Sequence, residues 1–457
     1  MKINSFEIVN VLVVACLFLV LKRRTDVASL LLALFTYGTL HFSFAALALA
    51  THESGSVLIA LHNEGGGLLA KLSALSLLVV VFVMLSKHAY KAFLLNQDVE
   101  KKLALHFLLA MGVLCCGYVL NIRLGDWLQL KNVISVEILL AVLLMGYFGL
   151  LGAPALKSAE IYPWILGGML ILAVADCIAF YEVFGHHSWA VFMTSSGALI
   201  YRASSILFNP NVLGFWASLV YLGYAYGMHE YKDHRKMMFW GMVLASIAIY
   251  LSGSRSTGYL LLGLLIFPVL LMKERLRWVT LMVLPLTMLT IYAVAAWLVV
   301  PFVPSNEGWR EVALLGERFS AAPLYLVSYI SMLAGLPASV PVEVAVSVEG
   351  RYMGDGRDSG WLVLYDDAGW LGTLAMLWVY FMLFLYGLRA YMASHNAASV
   401  YALMALCYCL LVGLVMRFQI FPLWLFISLI LMPSMIYWGR ISASNSFRQV
   451  VNARTDS

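Results

Sequence analysis

Apolar residues run along this chain in blocks of about 20, the length that carries a helix across a hydrocarbon core, and short polar connections separate the blocks. The pattern predicts an all-α, polytopic membrane protein with 12–13 transmembrane helices. Its blocks lie near 8–21, 27–50, 68–86, 103–121, 133–155, 162–181, 211–228, 237–253, 257–272, 278–300, 363–388, 398–416 and 420–438. Lys22-Arg23-Arg24 follows the first block where a removable signal peptide would need a small-residue cleavage site, so this block reads as a span. One connection departs from the pattern. Residues 301–360 form a loop long enough to hold structure of its own, and its apolar run at 321–336 is too short to span and is expected to lie on the membrane surface as a helix.

The chain divides accordingly into N-terminal helices at 1–181, central helices with outer arginine-bearing turns at 182–300, the long loop at 301–360, C-terminal helices at 361–440 and a tail at 441–457. Composition supports a bilayer as the solvent: 63% of residues are hydrophobic and 12% charged, against the roughly 45–50% apolar usage of soluble domains. Six cysteines all fall inside apolar blocks without metal-ligand spacing, and read as packing residues. The net charge of +5 does not indicate nucleic acid, because the cations are spread over short loops and form no basic face.

Charge also orients the chain. Alternate loops collect 18 of the 29 basic residues on one side, and the positive-inside rule makes that side cytoplasmic. The tail is then cytoplasmic, and the long loop faces out. After residue 131 the outward face carries seven cations, Arg202, Arg255, Arg310, Arg318, Arg351, Arg357 and Arg417, with no lysine among them. Guanidinium groups grip phosphate oxygens in pairs and stay charged when partly desolvated, so this set points to a phosphate-bearing ligand at the membrane surface. The long loop is acidic overall, so any anion site must be local.

Three segments carry candidate chemistry. In the first, four glycines between Gly350 and Gly360 surround Arg351, Arg357 and Asp358 just ahead of a span, describing a tight outward loop that a ligand can approach closely. Asp358 or Ser359 is also suited to capping the helix that follows. Asp366 and Asp367 lie two turns further in, where a carboxylate must meet water, a substrate or a partner such as Arg417. The second segment is Ser252-Gly253-Ser254-Arg255-Ser256-Thr257, which holds an arginine among hydroxyls between two spans. In the third, Arg202 precedes Asn209-Pro210-Asn211, a turn that starts the next helix. Histidine and glutamate pairs at His52, Glu53, His62 and Glu64, and at Glu182, His186 and His187, lack a third ligand at metal-binding spacing.

In this order, the three segments resemble motifs of the bacterial O-antigen polymerase and ligase superfamily: an arginine before an Asn-Pro-Asn turn, a Ser-Gly-Ser-Arg-Ser turn, and a helix-start motif after a long outer loop. The resemblance covers roughly residues 200–440. Leu362, Asp367, Gly369 and Gly372 stand at the offsets of the ligase motif, but Asp358 stands where ligases carry histidine, which favours a Wzy-type polymerase.

The resemblance implies a GT-C-like, inverting and metal-independent membrane glycosyltransferase without a cofactor. It would polymerise undecaprenyl-diphosphate-linked oligosaccharide repeat units at the periplasmic face of the bacterial inner membrane, with a chain-length regulator and a flippase as candidate partners. Asp358 would serve as general base. Arg202, Arg255, Arg318 and Arg351 would bind the diphosphate, and Arg357, Asp367 and Arg417 would support them. A ligase that transfers glycan to lipid A core is the alternative within the family. A polytopic transporter is the alternative outside it, with Lys71 and Asp176 as the charges that lie deep in early spans.

Overall fold

The computed structural model describes residues 5–23, 68–95, 98–122, 191–193, 199–201, 210–230, 232–271, 276–299, 359–395 and 397–414, with scattered helical positions at 30, 33 and between 130 and 140. The blocks at 27–50, 133–155, 162–181 and 420–438 lie wholly or mostly outside them, as does the surface helix expected at 321–336.

The described residues form α1 (Ser5–Arg23), α2 (Leu68–Leu95), α3 (Asp98–Asn121), β1 (Val191–Met193), β2 (Leu199–Tyr201), α4 (Pro210–Glu230), α5 (Arg235–Leu251), α6 (Arg255–Leu264), α7 (Ile266–Leu271), α8 (Leu276–Val299), α9 (Gly360–Ser394) and α10 (Ala397–Val412). The strands pair antiparallel with Val191 opposite Tyr201 and Met193 opposite Leu199, a small hairpin that hydropathy alone does not indicate. Among the described residues two stretches, Ala104–Asn121 and Gly360–Arg389, are long and apolar enough to cross a membrane.

Burial follows helical periodicity. On α3 the buried positions Ala104, Phe107, Ala110, Leu114 and Gly117 recur every three or four residues and make one stripe. That stripe packs on α9. Leu105, Leu108, Leu109 and Leu120 stand exposed around it. Exposed leucine, valine, phenylalanine and tryptophan recur on α1, α2, α8 and α9, an apolar outer surface compatible with lipid as the surrounding solvent. Helix α4 is the exception: from Leu213 to His229 only Gly223 escapes full burial, as expected of a helix apolar all round and enclosed by neighbours. It packs against α5, α6, α8 and α10.

Two helices depart from the expected spans. The block at 257–272 is broken at Leu265 into α6 and α7. Pro268 explains the break, since it donates no backbone hydrogen bond and its ring crowds the carbonyl four residues back, at Leu264, where α6 ends. Helix α9 begins at Gly360 and bends at Gly369, whose φ of 61° and ψ of −163° are far from helical values. A side chain at that backbone position is strongly disfavoured, so glycine is what permits the bend.

Candidate functional site

The described parts of the three segments, from Pro210, from Ser252 and from Ser359 onward, lie at one end of the bundle. Helix α4 starts at Pro210, where the ring pre-sets the backbone angle and the missing N–H is not needed. One turn in, Gly214 lies against the turn between α5 and α6. A Cβ there would sit 2.6 Å from Ser254 Cβ and 2.7 Å from both Ser252 Oγ and Thr257 Oγ1. Any side chain would force α4 and the turn apart.

The turn is built by its own hydroxyls. Ser252 Oγ donates to the Ile249 carbonyl at 2.7 Å and accepts from Ser254 N at 3.1 Å, while Thr257 Oγ1 donates to the Ser254 carbonyl at 2.8 Å. Gly253 takes the left-handed conformation, φ 57°, that closes α5. The hydroxyl-bearing residues at 252, 254 and 257 are therefore buried in the turn and against α4. Arg255 itself is the first residue of α6. Its cap residue, Ser254, makes no side-chain capping bond, and among the described residues its buried Oγ has no hydrogen-bond partner.

Helix α10 links this turn to the start of α9. Tyr408 stacks on Phe215 of α4 at 5.3 Å and donates its hydroxyl to the Thr257 carbonyl at 3.2 Å. A turn later, the last carbonyls of α10, which have no partner within the helix, are taken up by α9. Ser359 Oγ donates to the Gly413 carbonyl at 3.2 Å, Trp361 N donates to the same oxygen at 3.3 Å, and Trp361 Nε1 donates to the Leu410 carbonyl at 3.0 Å. The Ser359 hydroxyl also accepts from Leu362 N at 3.4 Å, with an extended backbone at Ser359, so the cap of α9 is Ser359 and not Asp358.

Past the cap, Asp366 and Asp367 are partly exposed just before the bend. Gly372, on the far side of the bend, is held close by Ala368 and Leu114, which leaves no room for a Cβ. The two glycines at the offsets of the ligase motif thus have separate structural causes: Gly369 for its backbone angles, Gly372 for close packing.

Of the predicted site residues, Arg255 and Asp367 are described, Arg255 through its backbone. Asp358, Arg202, Arg318, Arg351, Arg357 and Arg417 lie outside the described residues. Chain connectivity still bears on three of them. Asp358 directly precedes the cap Ser359, Arg417 follows Gly413 by four residues, and Arg202 follows strand β2 directly. Two polar residues escaped the sequence reading. Asn121 at the end of α3 donates to the Asp366 carbonyl at 3.4 Å, and Glu137 accepts the Cys115 thiol at 3.2 Å. Among the described residues Cys409 is buried and Cys407 half-buried on α10, while Cys16, Cys115 and Cys116 are exposed on α1 and α3. Among the described residues no three His, Cys, Asp or Glu side chains gather in a metal-binding group. No protein-family model and no curated protein matches the chain.

Proposed function

We propose that this protein is a membrane-embedded glycosyltransferase that polymerises undecaprenyl-diphosphate-linked oligosaccharide repeat units, with the end of the bundle built from Gly214, the Ser252–Thr257 turn and Ser359 facing the periplasm. One observation carries the reading. At that end α6 begins on Arg255 with no capping bond from Ser254, while α9 is capped by Ser359. A helix N-terminus presents backbone N–H groups and partial positive charge, and an arginine at its first position adds a full charge, the combination suited to a phosphate oxygen.

The proposed reaction needs that anion site. An acceptor sugar hydroxyl attacks the anomeric carbon of the donor on the face opposite the diphosphate, the bond from that carbon to the diphosphate oxygen breaks, and the electron pair leaves with the diphosphate. Arg255, with Arg202, Arg318 and Arg351 from the adjoining segments, stabilises the charge that develops. The proton of the attacking hydroxyl passes to the Asp358 carboxylate, which the capping by Ser359 leaves without that structural duty. Inversion at the anomeric centre follows from the opposed geometry.

The test is reconstitution of the purified protein in liposomes with a lipid-linked single repeat unit and nothing else, the products being resolved by sugar length. A ladder that disappears in Arg255→Ala and in Asp358→Asn is the expected result. Transfer of one unit only after a lipid A core acceptor is supplied would make the protein a ligase. Substrate crossing the bilayer with no new glycosidic bond would make it a transporter.

A further inference from the structure

The bend in α9 has a partner that lies outside the stretch of chain on which the family resemblance rests. Helix α3 ends at Asn121, an exposed residue one turn beyond the buried Leu114 and Gly117. All three positions bear on the bend. A Cβ at Gly117 would collide with the Ala368 carbonyl and come within 2.9 Å of Gly372 N, so the α3 backbone is pressed directly onto the bend. Leu114 packs beside Gly372, where a Cβ would approach its Cδ1 to 2.9 Å. Asn121 Nδ2 donates to the Asp366 carbonyl at 3.4 Å and lies 3.3 Å from where a Cβ on Gly369 would be. Asp366 sits three residues before Gly369, where the regular i→i−4 ladder is interrupted. An amide from a helix 245 positions earlier in the chain thus meets the backbone at the break.

We propose that Asn121 is a positioning residue: it holds the leading segment of α9, Gly360 to Ala368, in its bent orientation, and thereby sets where Asp366 and Asp367 stand. The proposal rests on the reading of this end as the reaction site. The leading segment is fixed at its start by Ser359 and Trp361 on α10, and at its end by Asn121 and Gly117 on α3. Releasing the second anchor leaves the first as a pivot. Asn121 does not touch the reacting atoms, so its loss changes turnover through misplacement of other groups.

The experiment uses the full chain in lipid nanodiscs, as wild type, Asn121→Ala and Asn121→Asp, the last removing the donor at nearly constant shape. Amide hydrogen exchange is followed peptide by peptide, and in parallel kcat and KM for the lipid-linked donor are measured. Exchange in residues 360–368 should rise about fivefold in both variants, the effect of one lost neutral hydrogen bond, while α4 and α5 keep wild-type rates. In the same variants kcat should fall about 10- to 100-fold with KM unchanged, as expected when supporting groups beside the reaction are misplaced. Unchanged exchange in 360–368, or a uniform rise across the bundle, overturns the anchor. A local rise with kcat unchanged overturns the positioning role. Wild-type protein that makes no ladder would sink the polymerase reading, and the exchange data would then decide for or against the anchor alone.

Discussion

The two ends of the helical bundle are closed by different chemistry. At the end where α6 and α9 begin, small residues and backbone make close contacts beside the Tyr408–Phe215 stack: Gly214 against three hydroxyl-bearing residues, and carbonyls of α10 taken up by Ser359 and Trp361. At the opposite end, large rings do the closing. Tyr401 packs against Tyr226 and His229, with ring centroids 6.3 and 5.7 Å apart, and donates its hydroxyl to Thr280 Oγ1 at 3.2 Å; Tyr221 donates to the Thr280 carbonyl. An aromatic plug fills volume and tolerates adjustment. A seam of glycine and hydroxyls fixes backbone positions closely at the starts of α6 and α9.

The largest expected effect comes from forcing that seam open. Gly214→Val places methyl groups where Ser252, Ser254 and Thr257 already stand, and should destabilise the protein by about 2–3 kcal/mol, read as a lowered thermal unfolding midpoint in detergent. Ser359→Ala removes the α9 cap and one donor to the Gly413 carbonyl. Its expected cost is about 1–2 kcal/mol, with hydrogen exchange rising first in the opening turn of α9. Smaller still is Tyr401→Phe, which keeps the ring contacts and loses the bond to Thr280, for about 1 kcal/mol. That variant should keep its turnover. A loss of turnover in Tyr401→Phe equal to that in Ser359→Ala would erase the distinction between the ends.

How much of this was legible depends on whether the cause is local. Proline at the first position of α4 follows from Asn209-Pro210 alone, and helix starts near 360 and 255 follow from their glycine- and serine-rich approaches. The break between α6 and α7 was also local, set by Pro268, but hydropathy averages over it. Whether Asp358 or Ser359 caps α9 was ambiguous, because both side chains can cap. The tie was resolved by the Gly413 carbonyl, which needs a donor and lies 54 residues away. The bend at Gly369 and the part played by Asn121 were not legible at all. Both depend on α3 lying against α9, and no periodicity in either helix specifies its partner. The hairpin at 191–201 was hidden for a related reason, since two three-residue strands are too short for an alternation pattern to register.

The proposed binding of a lipid diphosphate at the end where α6 begins can be measured as an affinity. Undecaprenyl diphosphate affinity would be measured for wild type, Arg255→Ala and Arg235→Ala; Arg235 begins α5 at the opposite end, where its Nε donates to the Met228 carbonyl at 3.2 Å. Removing one charge-assisted contact should weaken binding about 10- to 100-fold in Arg255→Ala and leave Arg235→Ala at the wild-type value. Equal affinities in wild type and Arg255→Ala, or a loss confined to Arg235→Ala, would contradict the account.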